Sequence, residues 1–265
     1  MRRLLWPLIA SLLLAARPAV AAPELPTELA LCDDANEWPP YTQYRRDAAG
    51  QPVGELTGFT VELLRLIASR HGLQLRIEML PWARCQLQVR QGESLGLLNA
   101  IRTPERDREF LVSAPLYETR LLYVWSRQQH PNGLGLKRQQ DLQHWRVGGL
   151  KGYSYSQMED VNLRGMTRVR SYEALLEMLR LQRVDLVLVN ENVLQGRALL
   201  GLEAFRDARS FGVAPLPERK PSVFHLMFTR TRPEGALLHA LVNDDLKVLQ
   251  RGGELARLRA QFLSP

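Results

Sequence analysis

The sequence predicts an α/β protein made of two units, and three observations support this fold class. Short apolar runs of strand length alternate with longer segments in which apolar residues recur every three or four positions. A polar loop rich in Gln, Gly and Pro interrupts this alternation after Trp125, and a second alternation begins at Trp145. A chain of 265 residues is long enough for two small domains.

The first unit combines apolar runs with amphipathic segments. The predicted elements are strands at Leu29 to Cys32, Leu75 to Leu80 and Leu95 to Asn99, and helices at Phe59 to Arg70 and Trp82 to Gln91. Alternating strands and helices predict a parallel sheet, and ligands bind such sheets beyond the carboxyl ends of the strands. Trp38, Trp82 and Arg106 all fall at that edge, which predicts a cleft for a small anion.

The second unit continues the same alternation. Its predicted elements are strands at Leu121 to Trp125, Trp145 to Gly149 and Asp185 to Val189, a helix after Gly152, a helix at Ser171 to Arg180 and a helix after Asn190. A further strand at Val223 to Thr229 and helices at Glu234 to Gln250 and Glu254 to Phe262 follow. Gly252 and Gly253 separate the last two helices.

The first residues have the pattern of a secretory signal peptide. Arg2 and Arg3 precede an apolar stretch from Leu4 to Leu14, and small residues end at Ala21, after which cleavage is expected. The apolar stretch is shorter than the roughly 20 residues of a membrane span, and no later stretch qualifies. Cys32 is too far from the cleavage point to carry a lipid. The sequence therefore predicts a free periplasmic protein without stable membrane insertion.

The charge balance argues against a nucleic-acid partner. The chain has 35 Lys and Arg against 28 Asp and Glu, and cleavage after residue 21 would remove three arginines, leaving a net charge of about +4. The basic residues are scattered rather than clustered. A solvated surface is the simpler interpretation.

Two cysteines in an exported chain suggest a disulfide. Cys32 ends the first predicted strand, and Cys85 lies in the first turn of the helix after Trp82, so both fall at the same edge of the sheet. The alternative is a pair of buried thiols that pack as small hydrophobes. The spacing fits neither a zinc site nor a thiol nucleophile, and no motif for a metal, a cofactor or a catalytic residue is present.

Several motifs together resemble the family 3 extracellular solute-binding proteins of ABC transporters. In order, they are Trp38-Pro39-Pro40-Tyr41, Gly54-Glu55-Leu56-Thr57-Gly58-Phe59, Pro81-Trp82-Ala83-Arg84-Cys85, Thr103-Pro104-Glu105-Arg106, Gly149-Leu150-Lys151-Gly152-Tyr153-Ser154 and Arg183-Val184-Asp185. Each motif is weak alone, and their order over most of the chain is the stronger signal.

The resemblance implies a two-lobed periplasmic binding protein type II fold in which the chain crosses twice between lobes. On this sequence residues 1–21 would be the signal peptide, 22–122 and 218–265 the first lobe, and 123–217 the second. Tyr123 to Ser126 and Gly212 to Pro217 would act as hinges, and the lobes would close on a ligand. The implied protein is a monomer whose partners are a small carboxylate-bearing solute and an ABC transporter permease.

The resemblance also implies roles for individual side chains. Arg106 would hold the ligand carboxylate through two parallel donors, although a surface ion pair with Glu105 or Asp107 is an alternative. Trp38 and Trp82 would form aromatic walls around the ligand, or else belong to the lobe core.

Further contacts are expected around these three residues. Backbone amides near Asn99 and Ile101 would donate to the ligand, and the predicted helix after Gly152 would present its positive end. Ser154 would contact the ligand or only cap that helix. The shape of the cleft around Tyr41 and Tyr153 would set specificity.

One position departs from the family pattern. Amino-acid binders usually have an aspartate for the ligand ammonium where this chain has Asn190, and an amide supplies no counter-charge. We therefore expect ordinary α-amino acids to bind weakly. The alternative is that Glu191 or one of three acids near the first strand, namely Asp33, Asp34 and Glu37, compensates.

Two other functions are weaker interpretations. The fold also resembles periplasmic cyclohexadienyl dehydratases, for which Glu118 and Glu191 are the only acids that could be nominated, and neither lies in a diagnostic motif. Similar lobes also occur as sensor modules of signalling proteins, which would here be a free ligand-binding component. We expect a binding protein rather than an enzyme, with no cofactor and no metal.

Overall fold

The computed structural model describes residues 24–155, 158, 161, 163–200 and 209–263. The predicted signal peptide and its cleavage after Ala21 lie outside these residues. The strands are β1 (Glu28–Asp34), β2 (Gln43–Arg46), β3 (Pro52–Thr57), β4 (Gln74–Leu80), β5 (Gly96–Ile101), β6 (Phe110–Val112), β7 (Tyr117–Thr119), β8 (Leu121–Ser126), β9 (Val147–Leu150), β10 (Thr167–Val169), β11 (Leu186–Asn190), β12 (Phe211–Pro215) and β13 (Ser222–Thr229). The helices are α1 (Phe59–Arg70), α2 (Trp82–Gln91), α3 (Pro104–Glu109), α4 (Tyr172–Arg180), α5 (Glu191–Leu199), α6 (Pro233–Arg251) and α7 (Glu254–Leu263), with a 3₁₀ helix at Gln139–His144.

The first lobe is built on a mixed sheet in the order β4-β1-β5-β13-β6, with β7 also paired to β13. β1 runs parallel to β4 and β5, as predicted, whereas β13 is antiparallel to β5, β6 and β7. The predicted parallel pairing of the first three strands is therefore confirmed, and β13 adds an antiparallel strand whose direction the sequence did not indicate. β13 returns from the second lobe and begins at the edge where β5 ends, so it has to run in the opposite direction.

The second lobe is built on a five-stranded sheet in the order β10-β9-β11-β8-β12. β9, β10 and β11 are parallel, and β8 pairs antiparallel with both β11 and β12. Every residue of β8 is buried. A strand that is covered on both faces has a continuous apolar sequence, which explains why β8 could be predicted from the sequence.

The two links between the lobes lie side by side. One is Arg120, which joins β7 to β8, and the other is residues 216–221, which join β12 to β13. Leu122 pairs with Pro215 across β8 and β12, so the links leave the second sheet together. The predicted hinge Tyr123 to Ser126 lies within β8, and most of the other predicted hinge lies within β12. The links are thus nearer to the first sheet than expected.

Helix α1 shows how local sequence positions the first lobe. Gly58 precedes it with a φ of 118°, and a Cβ there would lie 2.5 Å from the carbonyl oxygen of Tyr41. Only glycine allows this approach of two backbone segments. The helix buries Phe59, Leu63 and Ile67 against the sheet, which follows from their spacing of four residues. It also packs against the C-terminal helix α7.

The predicted helix after Gly152 falls on a segment that the structure describes only in part. Among the residues that the structure describes between β9 and β10, which are 151–155, 158, 161 and 163–166, none is helical. The rest of this segment lies outside the described residues, so the expected helix dipole stays a prediction. No helix in the described chain is both long and apolar enough to cross a lipid bilayer.

Candidate ligand-binding site

A cavity lies between the two lobes at the carboxyl ends of β1, β5 and β11. The first lobe lines it with Asp33, Asp34, Trp38, Trp82, Asn99, Ile101, Arg106, Ser222 and Phe224. The second lobe and one link contribute Leu121, Tyr153, Ser154, Tyr155, Met158, Asn190 and Arg219. Eight of the nine predicted ligand-binding residues therefore line one cavity, and Tyr41 does not.

Arg106 presents a buried cation to this cavity. It lies in the short helix α3, where Thr103 caps the helix by accepting a hydrogen bond from the Arg106 backbone N–H. Its Nη1 donates to the carbonyl oxygen of Ile101 at 2.7 Å. The side chain forms no ion pair with any described carboxylate. Burial lowers the pKa of Arg106 to about 10, and nearby Glu109 opposes this effect, so the guanidinium stays charged at neutral pH.

Trp82 forms the surface beneath this guanidinium. The Cζ atom of Arg106 lies 5.7 Å from the centre of the Trp82 ring, within the range of a cation–π contact. Trp82 is the first residue of α2, and one turn later Cys85 is bonded to Cys32 of β1. The predicted disulfide is therefore confirmed, with a Cα–Cα distance of 5.7 Å. It ties the start of α2 to the end of the strand that carries Asp33.

Trp38 forms another wall of the cavity, at the contact between lobes. Its ring meets Tyr153 of the second lobe edge-on, with 5.6 Å between ring centres, and also packs against Phe224. The indole N–H donates to the hydroxyl of Tyr117 at 2.9 Å, which fixes the orientation of the ring. Tyr41 supports this arrangement from behind, because it is fully buried and stacks on Tyr117 with ring centres 3.5 Å apart.

Asn99 holds a network of polar groups beneath the cavity. Its Nδ2 donates to Asp33 at 2.6 Å and to Thr42 at 2.9 Å, and its Oδ1 accepts from the hydroxyls of Thr60 and Tyr117. The amide side chain is thus committed to the first lobe, and it positions other groups. This function of the side chain was not expected from the sequence.

Asn190 differs from Asn99 in the hydrogen bonding of its side-chain oxygen. It is the last residue of β11 and precedes α5 without a side-chain capping bond. Its Oδ1 is buried and accepts no hydrogen bond from the described residues. A buried acceptor without a donor is costly, so this oxygen favours a ligand that brings a donor.

The acids named as alternatives are now distinguished by their partners. Glu37 binds the Arg46 guanidinium and the Tyr44 backbone N–H, and Glu191 forms an ion pair with Arg120. Neither acid lines the cavity, whereas Asp33 and Asp34 both do. Glu118, the other acid nominated for a dehydratase, is exposed on β7 and does not line the cavity either.

Asp33 and Asp34 differ in how their carboxyl groups are satisfied. Burial raises the pKa of Asp33 to about 7, although its oxygens accept hydrogen bonds from the Asp34 backbone N–H and from Asn99. Burial also raises the pKa of Asp34, against the contrary effects of Asn36 and Tyr153. The Oδ2 atom of Asp34 and the Tyr153 hydroxyl complete no hydrogen bond of normal geometry in the described structure.

Several cavity residues were not found in the sequence. Phe224 and Ser222 come from β13, and Arg219 comes from the link that precedes it. The apolar run of β13 marks a strand, but nothing local indicates that the strand returns to the first sheet. Tyr155 and Met158 lie between β9 and β10. The described residues hold no group of three potential metal ligands.

Two α/β lobes joined by adjacent links around a cavity define the class of type II periplasmic binding proteins. The chain matches the bacterial extracellular solute-binding proteins, family 3, over residues 33–265, and it belongs to that family. No curated protein is similar enough in sequence to count as a match.

Solved structures share this fold at low sequence identity. The substrate-binding protein of an amino acid ABC transporter has a TM-score of 0.71 and 16% identity, over 90% of this chain and 100% of that one. The arginine-, lysine-, histidine-binding protein ArtJ from Geobacillus stearothermophilus has a TM-score of 0.71 and 15% identity, over 90% and 96%. A histidine kinase sensor domain with similarity to periplasmic binding proteins has a TM-score of 0.69 and 18% identity, over 89% and 96%.

Proposed function

We propose that this protein captures a small, amino-acid-like solute with a carboxylate group in the periplasm and delivers it to an ABC importer. The observation that carries the proposal is the buried Arg106 guanidinium, which faces the cavity over Trp82 and has no carboxylate partner among the described residues. A buried cation without a counter-ion is costly, and a ligand carboxylate would remove that cost.

The remaining guanidinium donors suit a carboxylate well. Nη1 already donates to Ile101, which holds the planar group in one orientation. A carboxylate bound to an oriented guanidinium through two N–H groups gains charge-assisted hydrogen bonds of roughly 1.5 to 3 kcal/mol each. Binding has no further entropic cost for ordering the Arg106 side chain, because the protein already holds it in place.

Asp34 supports a ligand that also carries a cationic nitrogen. Its Oδ2 and the Oδ1 of Asn190 are buried at the cavity, come from opposite lobes and complete no hydrogen bond of normal geometry with the described residues, although the Tyr153 hydroxyl interacts with Asp34. An ammonium group would supply donors to both oxygens and a charge partner to Asp34. The expectation of weak α-amino acid binding rested on Asn190 alone, so Asp34 now favours the alternative in which a first-lobe acid compensates.

Delivery to an importer would depend on lobe closure. The two links leave the second sheet next to each other, so the lobes can rotate about a common axis without breaking either sheet. Membership of the solute-binding family supports this mode of action. We propose that the protein acts as a monomer and that both lobes together form the surface that a permease recognises.

Native mass spectrometry of the protein purified from its periplasm tests the proposal. We expect a copurified small molecule that carries a carboxylate, and calorimetry with that molecule should show 1:1 binding. The Arg106→Ala variant should lose the copurified molecule, whereas Arg84→Ala, which changes an exposed arginine of α2, should retain it. A copurified solute without an acidic group, retained by Arg106→Ala, would refute the proposal.

A further inference from the structure

The loop between β1 and β2 contacts the second lobe outside the cavity. We infer that Asn36 and Pro39 of this loop, together with Gly196 and Arg197 of α5, form a latch that stabilises the closed lobes without a ligand. None of these four residues lines the cavity. The latch therefore stabilises the closed form without itself contacting the solute.

Asn36 makes two polar contacts across the lobe boundary. Its Nδ2 donates to the carbonyl oxygen of Arg170 at 2.9 Å, and its own carbonyl oxygen accepts from Nη1 of Arg197 at 3.1 Å. Both partners belong to the second lobe. Opening the lobes would break both bonds at once.

The second lobe holds Arg197 ready for this contact. The side chain is 5% exposed, its Cζ lies 4.5 Å from the centre of the Tyr172 ring, and it forms an ion pair with Glu173. These contacts all lie within the second lobe, so they persist when the lobes open. The Arg197 side chain is therefore already ordered before the lobes close, so the entropic cost of closure is small.

Gly196 gives the second, steric part of the argument. It lies inside α5, where glycine is less favourable than alanine by about 1 kcal/mol. A Cβ at this position would lie 2.7 Å from the carbonyl carbon of Pro39 and 2.8 Å from its oxygen. The backbone of the first lobe thus occupies the place of a side chain on the second. Glycine makes α5 less stable than alanine would, but it allows this contact between the lobes. We take this as an indication that the contact has a function.

The latch is connected to the cavity through Asn36. The backbone N–H and the Nδ2 of Asn36 both donate to Oδ1 of Asp34, at 3.0 and 3.1 Å. Asn36 therefore orients the Asp34 carboxyl and binds the second lobe with the same side chain. Closing the lobes and fixing a cavity acid are consequently linked events.

Small-angle X-ray scattering of the ligand-free protein tests the latch directly. We expect Gly196→Ala to have a larger radius of gyration than the wild type, because the added methyl group separates α5 from Pro39 and shifts the closed-to-open ratio by about tenfold or more. Its thermal midpoint should not fall, since alanine favours the helix. Gly252→Ala at the end of α6, where a Cβ meets only ordinary contacts, is the matched control and should scatter like the wild type.

A second variant tests whether the polar and the steric contacts belong to the same latch. Arg197→Met should increase the radius of gyration as well, and combining it with Gly196→Ala should add little, because both changes open the same contact. Identical scattering of wild type and Gly196→Ala would overturn the inference, and so would fully additive effects. No ligand enters this measurement, so its result is separate from the proposed solute-binding function.

Discussion

The guanidinium of Arg106 rests over the indole face of Trp82, with 5.7 Å between Cζ and the ring centre. The two residues come from different helices, and each helix is fixed by its own constraint. Thr103 caps α3, and the disulfide through Cys85 holds α2 against β1. The contact therefore presents a rigid, partly desolvated cation to the cavity, which is what recognition of a small anion requires.

Replacing Arg106 with alanine should abolish binding of the carboxylate solute and preserve the fold. Removing one partner of a buried charged pair costs roughly 2 to 5 kcal/mol of binding free energy, equivalent to at least about 30-fold in affinity. Titration calorimetry measures this loss, and circular dichroism should show an unchanged spectrum. Arg84→Ala serves as the control, and an unaltered affinity in Arg106→Ala would remove this residue from the site.

Replacing Asp34 with asparagine should reduce the preference for ligands with a cationic nitrogen. A hydrogen bond to a charged group is stronger than a neutral one by roughly 1 kcal/mol or more, so the preference should fall by about fivefold to tenfold. The measurement compares each bound amino acid with the corresponding acid that lacks the amino group. Glu191→Gln alters an acid outside the cavity and should keep the wild-type preference. Equal preference in wild type and Asp34→Asn would contradict the role of Asp34.

The contribution of Asp33 to the stability of the protein should decrease as the pH rises from about 4 to about 7. Burial raises the pKa of Asp33 from 3.8 to about 7, so the folded state binds more protons than the unfolded state in this window. The contribution is complete below pH 4 and is lost as the pH passes through the folded pKa. Asp34 is shifted in the same direction.

Urea unfolding of wild type and Asp33→Asn at several pH values checks this dependence. The neutral side chain should reduce the difference in unfolding free energy between pH 4.5 and pH 7.5 by up to about 3 kcal/mol, at 1.4 kcal/mol for each pKa unit. The variant will be less stable overall, because an amide cannot accept from both Asn99 and the backbone N–H of residue 34 in the same way. The informative quantity is the slope of the unfolding free energy against pH. Equal slopes in wild type and Asp33→Asn would count against a raised pKa of Asp33.

Removing the disulfide should destabilise the first lobe by about 4 kcal/mol in the chain-entropy model, because the bond links residues separated by 53 positions. Both cysteines are fully buried, so Cys32→Ala with Cys85→Ala is preferable to reduction. Urea unfolding measures the loss. We expect solute affinity to fall too, since the start of α2 carries Trp82. A double variant with wild-type stability would show that packing alone holds α2.

Ligand binding should change the tryptophan fluorescence mainly through two rings. Trp38 and Trp82 line the cavity, whereas Trp125 and Trp145 do not. The variants Trp38→Phe and Trp82→Phe should each lose part of the ligand-induced change, and Trp125→Phe should retain it. A signal that survives in the combined Trp38→Phe and Trp82→Phe variant would place the solute elsewhere.

Local signals in the sequence were sufficient for the main helices and strands. Helices α1 and α2 have the predicted limits, because Gly58 and Pro81 precede them and Gly92 ends the second in a left-handed conformation. The hairpin of β2 and β3 was missed, since none of its residues is buried and they carry no apolar alternation. The direction of β13 was missed because it depends on the return of the chain from another sheet.

The candidate site could be predicted only in part for a similar reason. Arg106, Trp38 and Trp82 follow strand ends, so the rule for parallel sheets brings them together. The identity of the acid at the cavity could not be derived in this way. Four acids were equivalent in sequence, and only their tertiary partners leave Asp34 with an oxygen that faces the cavity.

The position of β13 also determines when the molecule can assemble. This strand lies between β5 and β6, yet it comes from the last quarter of the chain, whereas all strands of the second sheet are contiguous along the sequence. A chain emerging from a translocation pore would complete its middle portion first and would keep its amino-terminal portion unfinished until residues 222–229 had passed. Truncation before Ser222 should consequently leave an aggregation-prone amino-terminal fragment, which chaperones would have to protect.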